Sequence, residues 1–257
     1  DYTYPTDQDL EYWHKKGLKL IRLPFKWERL QLDLKGPLNQ HDLNKMKELV
    51  RAAEKRDMVV LLDLHNYCRR YMNNEHTLIG SNGLTIEDLA SFWQAIAKEF
   101  STFKNIYGYG LMNEPHDLAP GTNWFDMALA SINAIRQVDT NTLIMVGGND
   151  WSSAERWIEQ SDTLKFLKDP ANNLAFEAHV YFDKDASGTY KYSYEEEGCY
   201  PEKGIDRVKP FVEWIKQNNF HGFIGEYGIP DNDPRWNETL DLFLHYLQES
   251  GINGTYW

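Results

Sequence analysis

The sequence predicts an α/β fold of the parallel-barrel type, a (β/α)8 (TIM) barrel, on three observations. Short apolar runs alternate with amphipathic stretches of helical length, the pattern of right-handed βαβ units in a parallel sheet. The chain has 257 residues, the size of one such barrel. No glycine-rich phosphate loop follows an early strand, as a doubly wound open sheet would normally require.

The elements follow in order. Thr6 can cap a helix running to Lys16, with Gly17 as its stop, ahead of an apolar run over 18–23. Leu43, Met46, Leu49, Val50 and Ala53 lie at helical spacing before the run 58–64. Ile86, Leu89, Phe92, Trp93, Ile96 and Phe100 form the next helical face, followed by a strand over 106–111. The cycle continues with a helix over about 122–138, a strand over 142–146, a helix near 152–160 and a strand near 174–180. A helix over 207–218, a strand over 220–224, a helix near 234–249 and a strand over 254–257 complete it. Seven strands are expected where a barrel has eight. The first barrel strand and the last helix are therefore expected to lie outside this chain, which reads as one domain over 1–257, incomplete at both ends.

Composition narrows the function. Hydrophobic residues make up 42% and charged ones 26%, enough to bury a sizeable core. No run approaches the ~20 apolar residues of a membrane span, so no membrane partner is expected. The net charge is −12 with no basic stripe, a surface that repels phosphate backbones and argues against nucleic acid. Two cysteines, Cys68 and Cys199, exclude a disulfide-dense scaffold and a CxxC zinc site. Nine Trp and fifteen Tyr suit a ligand gripped by ring faces, although half or more of the aromatics must be core.

Barrel chemistry sits at the C-terminal strand ends. There the sequence offers Arg22, His65-Asn66, Asn113-Glu114, the stretch Gly147–Trp151, His179 with Tyr181, Glu226 and Trp257. Glu114 and Glu226 stand out. Paired carboxylates across a cleft are what glycosidic bond cleavage needs, one to protonate the leaving oxygen and one to attack or to activate water. The residues alone leave open which Glu does which. Asp63, His65 and His179 could suggest a metal-dependent hydrolase barrel, but no third or fourth ligand offers itself, so no metal is expected.

These motifs resemble glycoside hydrolase family 5, and within it the endoglucanases (cellulases), over nearly the whole chain. Leu111-Met112-Asn113-Glu114-Pro115 is similar to the family's Asn-Glu-Pro signature, and Gly225-Glu226-Tyr227-Gly228 to its nucleophile strand. Ile21–Pro24, Asp63–Tyr67 and His179-Val180-Tyr181 match its other strand-end motifs in order. The resemblance implies Glu114 as acid/base and Glu226 as nucleophile of a retaining endo-β-1,4-glucanase working through a covalent glycosyl-enzyme, without a cofactor. It implies that Arg22 and Tyr181 hydrogen-bond Glu226, that Asn113 meets the sugar 2-hydroxyl, and that His179 lies near Glu114 and helps carry its proton. His65 is expected to bond the 3-hydroxyl side or orient its neighbours, with Asn66 beside it in the substrate-binding set. Trp257 is expected as the floor under the −1 sugar ring, and Trp151 and Trp27 as further stacking platforms.

Trp13, Trp93 and Trp214 lie at apolar helix spacing and read as core, and His116 reads as a loop residue lining the cleft. The run Glu195–Glu197 reads as a solvated charge cluster in a polar stretch, 183–204, that could wall one end of the cleft. Both cysteines fall on catalytic-face loops, where a disulfide is permitted but not favoured. The expected partner is a β-glucan polysaccharide or oligosaccharide, acted on by a monomer outside the cell, with any signal peptide outside this chain. The alternatives are a β-mannanase or a xyloglucan or mixed-linkage glucanase of the same family, or a non-catalytic glycan-binding remnant.

Overall fold

Thr6 opens the first helix, α1 (Asp7–Lys15), in a capping box. Its hydroxyl accepts from the Asp9 amide at 3.2 Å, and the Asp9 carboxylate accepts from the Thr6 amide at 2.7 Å. The computed structural model describes residues 3–257. They form two compact units, one of residues up to 146 with 166–174, the other of 147–165 with 175–257.

The first unit continues with β1 (Leu20–Phe25), α2 (Trp27–Leu30), α3 (Gln40–Glu54) and β2 (Val59–Leu64). A hairpin of β3 (Arg69–Met72) and β4 (Glu75–Leu78) precedes α4 (Ile86–Phe100), β5 (Ile106–Gly110), α5 (Trp124–Arg136) and β6 (Leu143–Gly147). β1 pairs with β2, β2 with β5 and β5 with β6, all parallel, with Arg22 opposite Leu61. Among the described residues of this unit β1 has only β2 beside it, and such an edge tolerates Pro24, which has no amide to donate. The spacing in α4 buries Leu89, Phe92, Trp93, Ile96 and Phe100 on one face. The sequence reading has no hairpin at 69–78. Its strands carry Arg and Glu rather than alternating apolar residues, and its turn residues Asn73 and Asn74 supply the paired positive φ of 51° and 64°.

The second unit begins with a four-residue turn, α6 (Asn149–Ser152), and a short helix, α7 (Trp157–Ser161), before a 3₁₀ turn and β7 (Leu174–His179). Then come α8 (Lys203–Asn218), β8 (His221–Tyr227), α9 (Arg235–Glu249) and β9 (Asn253–Tyr256). β8 pairs in parallel with β7 and β9. Trp157, Phe176, Phe211 and Trp214 interlock edge to face behind β7, with centroids 4.6 Å apart for Trp157 and Phe211, and Phe220 packs on Phe176 and Trp214 at a tilt. The helix expected near 152–160 shrinks to five residues, because Asp150, Trp151 and Ser152 all have positive φ and delay its start.

The seven expected parallel strands are all present among the described residues, four in the first unit and three in the second. Trp93 and Trp214 are core as expected, whereas Trp13 is only half-buried. Glu197 corrects the reading of 195–197 as solvated. It is buried, and its carboxylate accepts the amides of Lys184 at 2.7 Å and Tyr192 at 2.9 Å.

Candidate active site

In the first unit the expected site residues lie on β1 and just beyond β2 and β5. Side chains two apart on a strand share a face, so Asp63 and His65 meet, with Asp63 Oδ2 2.8 Å from His65 Nδ1. A carboxylate can only accept, so Nδ1 carries the proton and Nε2 is left as an acceptor. Nε2 meets the Tyr67 hydroxyl at 3.0 Å and the Asn113 amide nitrogen at 3.3 Å. Arg22 donates to Asn113 Oδ1 at 2.7 Å and lies 3.3 Å from Asp63, a pair whose side chains are both nearly inaccessible. These contacts fix the His65 ring against Asp63, Tyr67 and Asn113.

Asn113 is also fixed through its backbone, which donates to Leu64 and accepts from Tyr67. Glu114 follows, half-buried, with φ 46°. A residue before proline favours extended backbone. The left-handed turn at Glu114 therefore stores strain of order 1–3 kcal/mol, as backbones at working sites often do. His116 Nδ1 meets the Glu114 carbonyl at 2.8 Å. Beside it opens a cleft of about 440 Å³, lined among others by Lys26, Tyr67, Arg69 and His116, as expected for His116. The Lys26 ammonium lies 5.1 Å above the Tyr67 ring and donates to the His65 carbonyl. Burial pushes Lys26 below the usual lysine range, against the opposing pull of Glu28 and Asp63.

One expected substrate contact in this unit is corrected. Trp27 has no exposed surface; it stacks on Phe92 at 5.3 Å and donates its indole N–H to Gln31, so it is core rather than a sugar platform. Asn66 is buried with its amide committed inside the protein. Its nitrogen donates to Glu28 and to the Arg69 carbonyl, and its oxygen accepts from the Trp27 amide, which braces the loop, while Asn66 also lines the cleft beside His116.

In the second unit the pivotal feature is a bulge in β8. Ala178 is opposite Ile224 and His179 is opposite Glu226, so Gly225 is the extra residue. A bulge of this kind re-aims the side chain that follows it. Glu226 turns its carboxylate to Tyr181, whose hydroxyl donates to Oε2 at 2.8 Å, and His179 Nδ1 lies 3.7 Å from the same oxygen. The expected bond from Tyr181 to Glu226 is thus present. On β7, Glu177 Oε1 lies 2.9 Å from His179 Nε2 with both residues buried. The sequence reading passes over Glu177. The usable signal is the Glu-x-His spacing, which repeats that of Asp63-x-His65.

Tyr181 is itself held by the loop that follows it. Arg207 donates to the carbonyls of Tyr181 and Asp183. The buried Asp183 carboxylate accepts the amides of Gly188 and Thr189, each at 3.0 Å. Gly188, at φ 74°, lies so close to the Tyr181 ring that a Cβ there would come within 2.8 Å of it. Trp151 is 43% exposed on the left-handed turn after β6, with φ 56°, and Trp257 is 53% exposed at the end of β9. Cys68 and Cys199 are free thiols, and burial pushes the Cys68 thiol far up, leaving it inert.

The family model for cellulase (glycosyl hydrolase family 5) matches residues 1–257. The chain is 32% identical over 235 residues to endo-beta-1,4-glucanase B of Emericella nidulans, covering 91% of this chain and 67% of that protein. It is 30% identical to endoglucanase 1 of Robillarda sp., covering 100% of this chain and 69% of that protein. Among solved structures it resembles endoglucanase Cel5A of Pseudomonas stutzeri, with a TM-score of 0.92 and 38% identity over 100% of this chain and 77% of that one. XacCel5A, solved with cellopentaose, gives a TM-score of 0.90 and 36% identity over 100% and 81%. The α/β barrel class expected from the alternation of strands and helices is that of these structures. This chain belongs to glycosyl hydrolase family 5, the cellulase family, and is a glycoside hydrolase.

Proposed function

We propose that the protein is a retaining endo-β-1,4-glucanase that cuts internal bonds of cellulose-type β-glucans. The observation that carries this reading is the bulged strand at Gly225, which delivers Glu226 to the Tyr181 hydroxyl at 2.8 Å. A carboxylate bonded through one oxygen is aimed and kept ionised, as a nucleophile must be. The substrate class is supported by relatives named endo-beta-1,4-glucanase and by neighbours solved with cellobiose and cellopentaose.

In this mechanism Glu114 gives a proton to the glycosidic oxygen as the bond to the anomeric carbon breaks. Glu226 attacks that carbon and forms a glycosyl ester. Glu114, now ionised, takes a proton from water, whose oxygen displaces Glu226 and releases the sugar with its original configuration. Asn113, set by Arg22 and His65, meets the sugar 2-hydroxyl, a contact that strengthens in the transition state. Trp257 and Trp151 offer ring faces to pyranose rings. No step calls for a cofactor. Since polymeric glucan lies outside cells, the enzyme acts there, as a monomer.

Carboxymethylcellulose tests the reading. Viscosity should fall faster than reducing ends appear, and proton NMR of early cello-oligosaccharide products should show the β anomer first. A first-formed α anomer excludes retention. Turnover of mannan or xyloglucan with little action on cellulose derivatives favours the sister activities, and no turnover of any glucan leaves a binding protein.

A further inference from the structure

Glu177 is a buried carboxylate that none of the steps above uses. It stands two residues before His179 on β7, so both side chains leave the same face of the strand. The opposite face is occupied by Phe176, which packs on Trp157 and Trp214. Glu177 Oε1 meets His179 Nε2 at 2.9 Å, and His179 Nδ1 lies 3.7 Å from Glu226 Oε2, the oxygen that Tyr181 also holds. One imidazole is thus set between two carboxylates.

The neighbouring strand is shaped around this carboxylate. A Cβ at Gly225 would overlap the Glu177 carboxylate and carboxyl carbon. The bulge residue that re-aims Glu226 is therefore also the residue whose missing side chain makes room for Glu177. Any larger residue at 225 would push the carboxylate off His179 and disturb the bulge together.

We propose that Glu177 is a positioning residue that fixes the ring and the tautomer of His179. A carboxylate accepts only, so the nitrogen facing Glu177 must carry a proton, and Nδ1 becomes the nitrogen presented to Glu226. Free rotation of the ring would present either nitrogen or neither. With Glu177 in place, a proton is taken up or released at one defined atom beside the nucleophile, and the ring cannot swing into the space Glu226 needs during attack. This inference rests on the glucanase reading for its kinetic consequence but not for its geometry.

The test pairs kinetics with a direct view of the ring. Glu177→Gln keeps the volume and is expected to lower kcat on cellopentaose about 10- to 100-fold with little change in KM, the range seen where a carboxylate orients a metal-bound imidazole. In a His179→Ala background the same change should cost less than about 2-fold, since it would have nothing left to orient. Nitrogen NMR of His179 in the wild type should show Nε2 protonated, and the Gln variant should show exchange between tautomers. Gly225→Ala should reproduce the NMR change. Equal losses from Glu177→Gln with and without His179, or an unaltered tautomer in the Gln variant, would overturn the proposal. If the wild type hydrolyses no glucan, the kinetic arm fails with the function, while the NMR arm still decides the role of Glu177.

Discussion

The end of β2 and the end of β7 carry the same device with different results. Each has a buried carboxylate, one intervening residue and a histidine, Asp63-x-His65 in the first unit and Glu177-x-His179 in the second. Aspartate is one carbon shorter and reaches Nδ1, while glutamate reaches Nε2. The nitrogen left over differs accordingly. At His65 it is absorbed by Tyr67 and Asn113, with Arg22 closing the network against Asp63. At His179 it faces the carboxylate of Glu226. The first pair closes into a buried scaffold, and the second attends the Glu226 carboxylate.

The largest effects should come from the two glutamates. Glu226→Ala should lower kcat/KM on cellopentaose by at least about 10³-fold, a loss typical of a missing nucleophile. Glu114→Ala should cost about 10²–10⁴ on the same substrate, the range for general acid catalysis. On a dinitrophenyl cellobioside, whose leaving group needs no proton, the Glu114 variant should still show a first-turnover burst. Absence of that burst would reverse or void the division of roles.

The scaffold dyad should show its importance in stability. Asp63→Asn leaves the Arg22 guanidinium buried beside a neutral group. Urea unfolding should report a loss of about 3–5 kcal/mol, the cost of breaking a buried pair. Glu177→Gln keeps the volume and an oxygen that can accept from His179 Nε2, and should cost clearly less. Equal losses would erase the distinction between scaffold and attendant.

Tyr181→Phe removes a hydrogen bond to a charged group, worth about 1.5–3 kcal/mol. Turnover should fall roughly 10- to 100-fold at similar KM. A milder version of the same loss is expected from Gly188→Ala, which strains a positive φ and presses on the Tyr181 ring. The smallest effect is on acid stability. Asp169 is held below the usual carboxylate range because Arg136 and two backbone amides outweigh its burial, and Asp139 is held down by Thr142, Asn141 and Tyr109 against the same opposition. Their contribution is complete above the ordinary carboxylate range, near pH 4, and is lost as pH falls through the depressed native values. Melting curves from pH 7 to pH 2 should show that loss, and Asp169→Asn should flatten it.

Much of this molecule is legible in its sequence for a simple reason. Buried parallel strands read as apolar runs, and their polar exceptions, Arg22, His65, Asn113, His179 and Glu226, mark the strand ends where chemistry gathers. What escapes depends on features with no period. Trp27 follows a strand like a platform residue, yet only packing against Phe92 reveals it as core. Glu197 sits in a run of three acids, and only the folding back of 184–192 buries it. The bulge at Gly225 is a matter of register between strands, which a single strand's residues do not state.

The central claim is that Glu226 attacks the sugar, and a fluorinated substrate tests it most directly. A 2-deoxy-2-fluoro cellobioside with a dinitrophenyl leaving group slows release of the intermediate and should inactivate the enzyme with one glycosyl group attached per chain. Peptide mass spectrometry should place that group on the segment containing Gly225-Glu226-Tyr227, and Glu226→Gln should take up none. A label on the Asn113-Glu114-Pro115 segment, or turnover of the natural substrate with inversion and no label, would contradict the account.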